Sequence, residues 1–169
     1  MANTFTKITN VTVGSGGAST IDFSSIPQTY TDLCIVTSTR MLSSASELLI
    51  KFNSSTTSYS TKYLQANGTS VSSGVYTTTG AIYLNEEEYA TYTANTFNST
   101  SVYIPNYKSS NYKSFSSDSV TENNATQSFF QFTSGLWSDT SAITNISLTH
   151  SSGSFAQYSS ATLYGISNS

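Results

Sequence analysis

Six basic and nine acidic residues among 169 leave this chain only 9% charged, against about 25% in ordinary soluble domains. Exposed helix faces are usually built from Lys, Glu and Arg, so so little charge argues against a long-helix fold. Hydroxyls can clothe a sheet instead, and Ser and Thr fill 62 positions. Low hydrophobicity with many serines also describes disordered chains, but those are poor in aromatic and β-branched residues. Here 12 Tyr, 9 Phe and one Trp join many Val, Ile and Thr, the residues that suit a pleated, half-buried surface. Folded β structure is the expectation, and the length suits one domain spanning 1–169.

Strand follows strand along the chain. Val11 to Val13 runs into Gly14-Ser15-Gly16-Gly17, a turn of residues tolerant of positive φ. Ala18 to Phe23 sets Ile21 and Phe23 on one face. Asp32 to Thr39 carries a continuous apolar stretch, which predicts a central strand covered on both sides. Glu47 to Asn53 follows, and Asn67-Gly68 is the best hairpin dipeptide. Ala81 to Leu84, Phe97 to Ile104, Tyr112 to Val120 and Phe129 to Thr133 read alike. A last hairpin is expected to turn at Ser151-Ser152-Gly153, and one helical turn at Ser138 to Ile143. Short strands with turn signals every 8–12 residues predict a sandwich or barrel, an antiparallel, jelly-roll-like β-sandwich being the leading expectation, and no fixed repeat suggests a solenoid.

Chemistry is hard to place on this chain. His150 lacks a positioning partner and is expected to be exposed or at an interface. Asp118 and Glu122, four apart, are the best carboxylate pair, expected on one strand face and engaged in local hydrogen bonds. Glu86, Glu87 and Glu88 read as a solvated loop, since neighbours on a strand point to opposite sides. One His and Cys34 alone cannot build a zinc site, and Cys34, in an apolar run, is expected to be buried. No catalytic, cofactor or metal residue is assigned, and no enzyme is expected. The six cations (Lys7, Arg40, Lys51, Lys62, Lys108, Lys113) are scattered, a poor footprint for nucleic acid. No apolar run is long enough to cross a bilayer as a helix, and no leader is recognised at Met1. Asn-x-Ser/Thr triplets begin at Asn10, Asn53, Asn67, Asn98, Asn124 and Asn145, but a chain this rich in Ser and Thr produces them by chance. Trp137 is the one candidate platform for a sugar, with core the more frequent fate of a Trp beside Leu.

Four stretches, Val11 to Leu33, Val102 to Thr126, Gly135 to Thr144 and Phe155 to Ile166, resemble small virion structural proteins of tailed phages, especially aquatic ones. Ile104-Pro105-Asn106-Tyr107 and Ala161-Thr162-Leu163-Tyr164-Gly165-Ile166 carry most of the likeness. The resemblance implies a β-sandwich capsid decoration (cement) protein, a homotrimer clamping the major capsid protein in a virion assembled in the host cytoplasm. An appendage module that binds host glycans, in a tail fibre, is the alternative it implies. Ala2 to Thr6 is expected to form an arm or an edge strand.

Overall fold

The computed structural model describes residues 4–42, 46–76, 80–86, 92–123 and 128–167. Among them run twelve strands and no helix: β1 (Thr4–Thr12), β2 (Thr20–Phe23), β3 (Asp32–Thr39), β4 (Glu47–Phe52), β5 (Tyr59–Asn67), β6 (Ser70–Tyr76), β7 (Ile82–Glu86), β8 (Asn98–Ile104), β9 (Lys113–Glu122), β10 (Ser128–Trp137), β11 (Ile146–His150) and β12 (Ser160–Ser167). An eight-stranded sheet has the order β1-β12-β3-β8-β9-β10-β5-β6, and a four-stranded sheet the order β2-β11-β4-β7. All neighbours are antiparallel. This is the expected antiparallel sandwich. A jelly roll proper has eight strands in two Greek keys, whereas the division here is eight and four.

The core forms where the inward residues of both sheets meet. Ile21, Leu48, Ile50, Phe52 and Leu148 of the small sheet face Leu33, Ile35, Val102 and Leu163 of the large one, all fully buried or nearly so. Asp32 to Thr39 forms a strand with the expected bounds, between β12 and β8. Its outer side is less covered than its apolar run predicts: Cys34 is buried, but Val36 is 44% exposed. The chain start forms an edge strand, with Thr4 to Thr6 paired to β12; Ala2 and Asn3 lie outside the described residues. The predicted hairpin joins β5 to β6. Asn67 pairs with Ser70, so Gly68 and Thr69 make the turn, with Gly68 at φ 56°.

Two expectations are overturned. No hairpin closes at Ser151-Ser152-Gly153, because β11 pairs with β2 and β4 while β12 pairs with β1 and β3. That segment crosses between the sheets. Phe155 fixes the crossing, exchanging backbone hydrogen bonds of 2.7 and 3.1 Å with Ala18 while its ring enters the core. Nor is Ser138 to Ile143 a helical turn. Its carbonyls are claimed from outside: Asp139 and Ser141 by the Lys113 ammonium, Ala142 by Asn53 and Ile143 by Gln28.

The β4–β7 register shifts between Leu48 and Leu49, leaving Leu84 as the extra residue of a bulge. Its carbonyl accepts hydrogen bonds from Gln131 (2.8 Å) and Thr133 (3.2 Å) on the inner side of β10. Thus β7 is tied to the opposite sheet. On the same sheet Gly135 faces Phe115 across β10 and β9, and a Cβ there would meet the ring at 2.5 Å. Overpacking of this kind costs about 1–3 kcal/mol. Gly135→Val is expected to lower the unfolding free energy read from urea titration by that amount. Gly14→Ala, where a Cβ meets nothing within 4 Å, should leave that free energy within about 0.5 kcal/mol.

Candidate functional site

The structure separates the residues in which chemistry was sought. His150 is not exposed: alternation along β11 puts it on the inward side with Ile146 and Leu148, where its ring lies 4.1 Å from that of Phe155. Ser151, its chain neighbour, instead donates to the Glu47 carboxylate and shares a 2.6 Å hydrogen bond with Ser46. Asp118 and Glu122 do share the outward side of β9. Four residues at ~3.4 Å rise set their Cα atoms about 13 Å apart, wider than the ~9.5 Å limit for a glycosidase pair. Glu86 ends β7, and Glu87 and Glu88 lie outside the described residues. Among the described residues no three His, Cys, Asp or Glu side chains gather as a metal site, and no helix is long and apolar enough to cross a membrane. Cys34 is buried, and desolvation pushes its thiol pKa up, partly offset by a hydrogen bond with Ser101.

Several asparagines of the Asn-x-Ser/Thr triplets are engaged in the fold. Asn98 is fully buried. Asn53 accepts from the amides of Thr144 (2.8 Å) and Asn145 (3.1 Å), and Asn10 donates to Thr162 at 2.8 Å. Asn124 lies outside the described residues.

Trp137 belongs to the core, not to a sugar platform. It is 1% exposed, its ring centroid 5.6 Å from that of Phe52 and 6.4 Å from that of Tyr59, on which it stacks. Above it, at 5.7 Å, sits the Lys113 ammonium. Lys113 donates to the carbonyls of Ser109 (2.8 Å), Asp139 (3.3 Å) and Ser141 (2.5 Å), so a single cation gathers two loops. Arg40 acts alike, donating to the carbonyls of Tyr92, Thr93 and Thr96 at 2.8–3.3 Å. Two of the six cations therefore serve the interior, which leaves still fewer for phosphates.

What the structure brings together instead is a face. Residues directly opposite across a ladder share a side. On the outer side of the large sheet, Val120 of β9 lies opposite Phe130 of β10, and Phe130 opposite Ala66 of β5, which is itself opposite Val71 of β6. One pleat along, the row is Asp118, Phe132, Leu64 and Ser73; the next is Ser116, Ser134, Lys62 and Val75. Phe130 and Phe132 are 41% and 49% exposed, Leu64 49% and Val71 72%. The two phenylalanine rings meet edge to face at 4.6 Å. Beside Phe132 a depression of ≈ 360 Å³ is lined by Lys62, Leu64, Ser116 and Ser134.

The inner side of the same strands is polar. Ser117, Ser119 and Thr121 of β9, and Gln131 and Thr133 of β10, are all buried. At the middle of β10 the usual order, apolar inward and polar outward, is reversed, while Phe115, Phe129 and Trp137 still face inward. Sequence reasoning missed this because Phe-x-Phe beside Gln-x-Thr reads naturally with the phenylalanines inside. The signal lay two turns of the pleat away, in Gly135 and Trp137, which share the side of Gln131 and Thr133 and must face the core.

Comparison with protein-family models, curated proteins and solved structures finds no match.

Burial raises the hydroxyl pKa values of Tyr59 and Tyr107 above their ordinary 10.0, and the hydrogen bond to Asp32 raises that of Tyr103. A phenol raised in the fold contributes stability below pH 10 that is lost as pH climbs through its folded pKa. Lys113, lowered by burial from 10.5, acts in the opposite sense, adding stability as pH rises through its folded value toward 10.5. The unfolding midpoint is expected to hold or rise toward about pH 10 and to fall above it. Tyr107→Phe, which removes one of these phenols, should make that alkaline fall shallower, as read by urea titration at stepped pH.

Proposed function

We propose that this chain is a non-catalytic structural subunit of a phage virion, a capsid decoration protein that works through the outer face of its large sheet. The observation that supports this reading is the local reversal at the middle of β10, where Phe130 and Phe132 point out and Gln131 and Thr133 point in, continued on β5 by exposed Leu64. Water gives no reason to place Phe130, Phe132 and Leu64 outside while Gln131 and Thr133 are buried. A partner surface does, because contiguous exposed apolar patches on soluble proteins mark interaction sites. The virion setting rests on the resemblance of the four stretches described above, and the face supplies the means of attachment. A sandwich tied together by buried cations and a bridged bulge presents such a face as a rigid plate, which lowers the ordering cost of binding.

The glycan-binding alternative relied on Trp137, whose place in the core removes its one named platform. Quantitative mass spectrometry of purified virions tests the reading. The protein is expected in a simple stoichiometric ratio to the major capsid protein. A handful of copies per particle would favour an appendage, and its absence from particles would overturn the virion reading.

A further inference from the structure

We infer that the free edge of β6 pairs antiparallel with β6 of a second copy of this chain, about a two-fold axis that passes through Ser73 perpendicular to the sheet. This edge is separate from the outer face assigned above to the shell, and the axis turns that face the same way in both copies.

The first observation is which edge lies open. Among the described residues the edge strands are β1 and β6 of the large sheet and β2 and β7 of the small one. Proteins guard such strands against stray pairing with charge, bulges or shortness. Three of them carry guards. β1 has Lys7 at a register shift, β2 is four residues long and holds Asp22, and β7 has the Leu84 bulge and ends at Glu86. β6 has none of these. Its seven residues, Ser70–Tyr76, include no charge and no proline, and its register with β5 is unbroken. Val71 is 72% exposed and Val75 59%.

The hairpin fixes which backbone groups that edge offers. Asn67 and Ser70 close a two-residue turn, and such a closing pair exchanges its hydrogen bonds across the hairpin. Alternation then turns the N–H and C=O groups of Ser72 and Gly74 toward β5, and those of Val71, Ser73 and Val75 away from it. Among the described residues none of these three takes a backbone hydrogen bond on the open side. They form a template for an added strand.

The second observation names the occupant. β6 is nearly palindromic about Ser73, with Val71 matching Val75 and Ser72 matching Gly74. An antiparallel two-fold through Ser73 therefore sets Val71 of each copy opposite Val75 of the other on the outer side, a β-branched pair made twice. On the inner side Ser72 meets Gly74, where the Tyr63 hydroxyl already lies 2.8 Å from the place of a Cβ. All three open residues find partners in register, giving about six hydrogen bonds. A strand of other sequence could meet the backbone but not this side-chain match.

Seven residues of ~3.4 Å rise make a strip only about 24 Å long, far smaller than the ~800 Å² each partner gives a standard interface. The contact is accordingly weak, with a dissociation constant on the order of 0.1–1 mM. Copies held side by side on a shell reach effective concentrations of about that size and stay paired. Pairing on the shell rests on the decoration reading, whereas pairing in solution does not. The two-fold takes the place of the trimer that the phage resemblance implied.

Disulfide trapping tests the register. At the axis the Cα of Ser73→Cys lies about 5.5 Å from its equivalent, within disulfide reach, whereas Ser72→Cys is about 8 Å from its own. Buried Cys34 is common to both variants. With oxidised glutathione at about 0.5 mM protein, Ser73→Cys is expected to link into dimers at least about 10-fold faster than Ser72→Cys; equal rates would overturn the inference. Sedimentation equilibrium of the wild-type chain should show mass rising from monomer toward dimer as concentration approaches about 1 mM. Val75→Pro, whose lost N–H points away from β5, leaves the hairpin ladder intact and should remain monomeric. Ser73→Lys, which sets two like charges at the axis, should do the same, and far-ultraviolet circular dichroism of both variants checks the sandwich. A wild-type monomer throughout, a mass converging on a trimer, or folded variants that still dimerise would each contradict the pairing. Copy number on virions separates the two proposals. A monomer in solution that is stoichiometric on virions overturns the pairing alone, and a dimer absent from virions overturns the decoration reading alone.

Discussion

Strand geometry allows each residue only one of two sides, and a single firm anchor therefore dictates the side of every other residue on the strand. On β10 that anchor is Trp137, held between Phe52, Tyr59 and the Lys113 ammonium. Gly135 reinforces it, because only a residue without a Cβ fits under the Phe115 ring. With these two inward, Thr133, Gln131 and Phe129 are inward as well. Phe130 and Phe132 have no choice but the outer side. The exposed apolar face follows from the packing of the strand's far end.

Scarce charge is used with the same economy. In a core, an isolated ammonium or guanidinium is costly to bury unless its donors are met. Lys113 and Arg40 meet theirs with backbone carbonyls of loops. The cations hold irregular segments for which the sequence offers no regular hydrogen-bond ladder. The bulge at Leu84 adds a third tie, with β7 accepting bonds from the side chains of β10. These devices tie irregular loops and the bulged strand to the rest of the sandwich.

The sequence was informative where pattern and position agreed. The run from Asp32 to Thr39 announced its strand with the right bounds and a central place in the sheet, but not its coverage, because Val36 stays exposed on the outer side. Asn67-Gly68 likewise located the β5–β6 hairpin. Legibility failed where distant contacts decide. Ser138 to Ile143 has a composition compatible with a helical turn, but Lys113, Asn53 and Gln28 take its carbonyls. The segment after His150 resembles a hairpin turn, but Phe155 pairs with Ala18 and draws the chain across to the other sheet. His150 itself was expected to be exposed or at an interface and is buried within the fold, because alternation from Ile146 and Leu148 fixes its side. The candidate face was illegible for the same reason: its polarity contradicts the local pattern, and only the anchor at the end of β10 resolves it.

Hydroxyl-radical footprinting of the assembled particle, compared with the free protein, addresses the outer face directly. Phe130, Phe132 and Leu64 are predicted to lose labelling on assembly, while Tyr112 and Tyr158, exposed outside the sheet, keep theirs. Equal labelling of Phe130 and Phe132 in both states would contradict the account, because the local reversal at the middle of β10 would then have no partner to explain it.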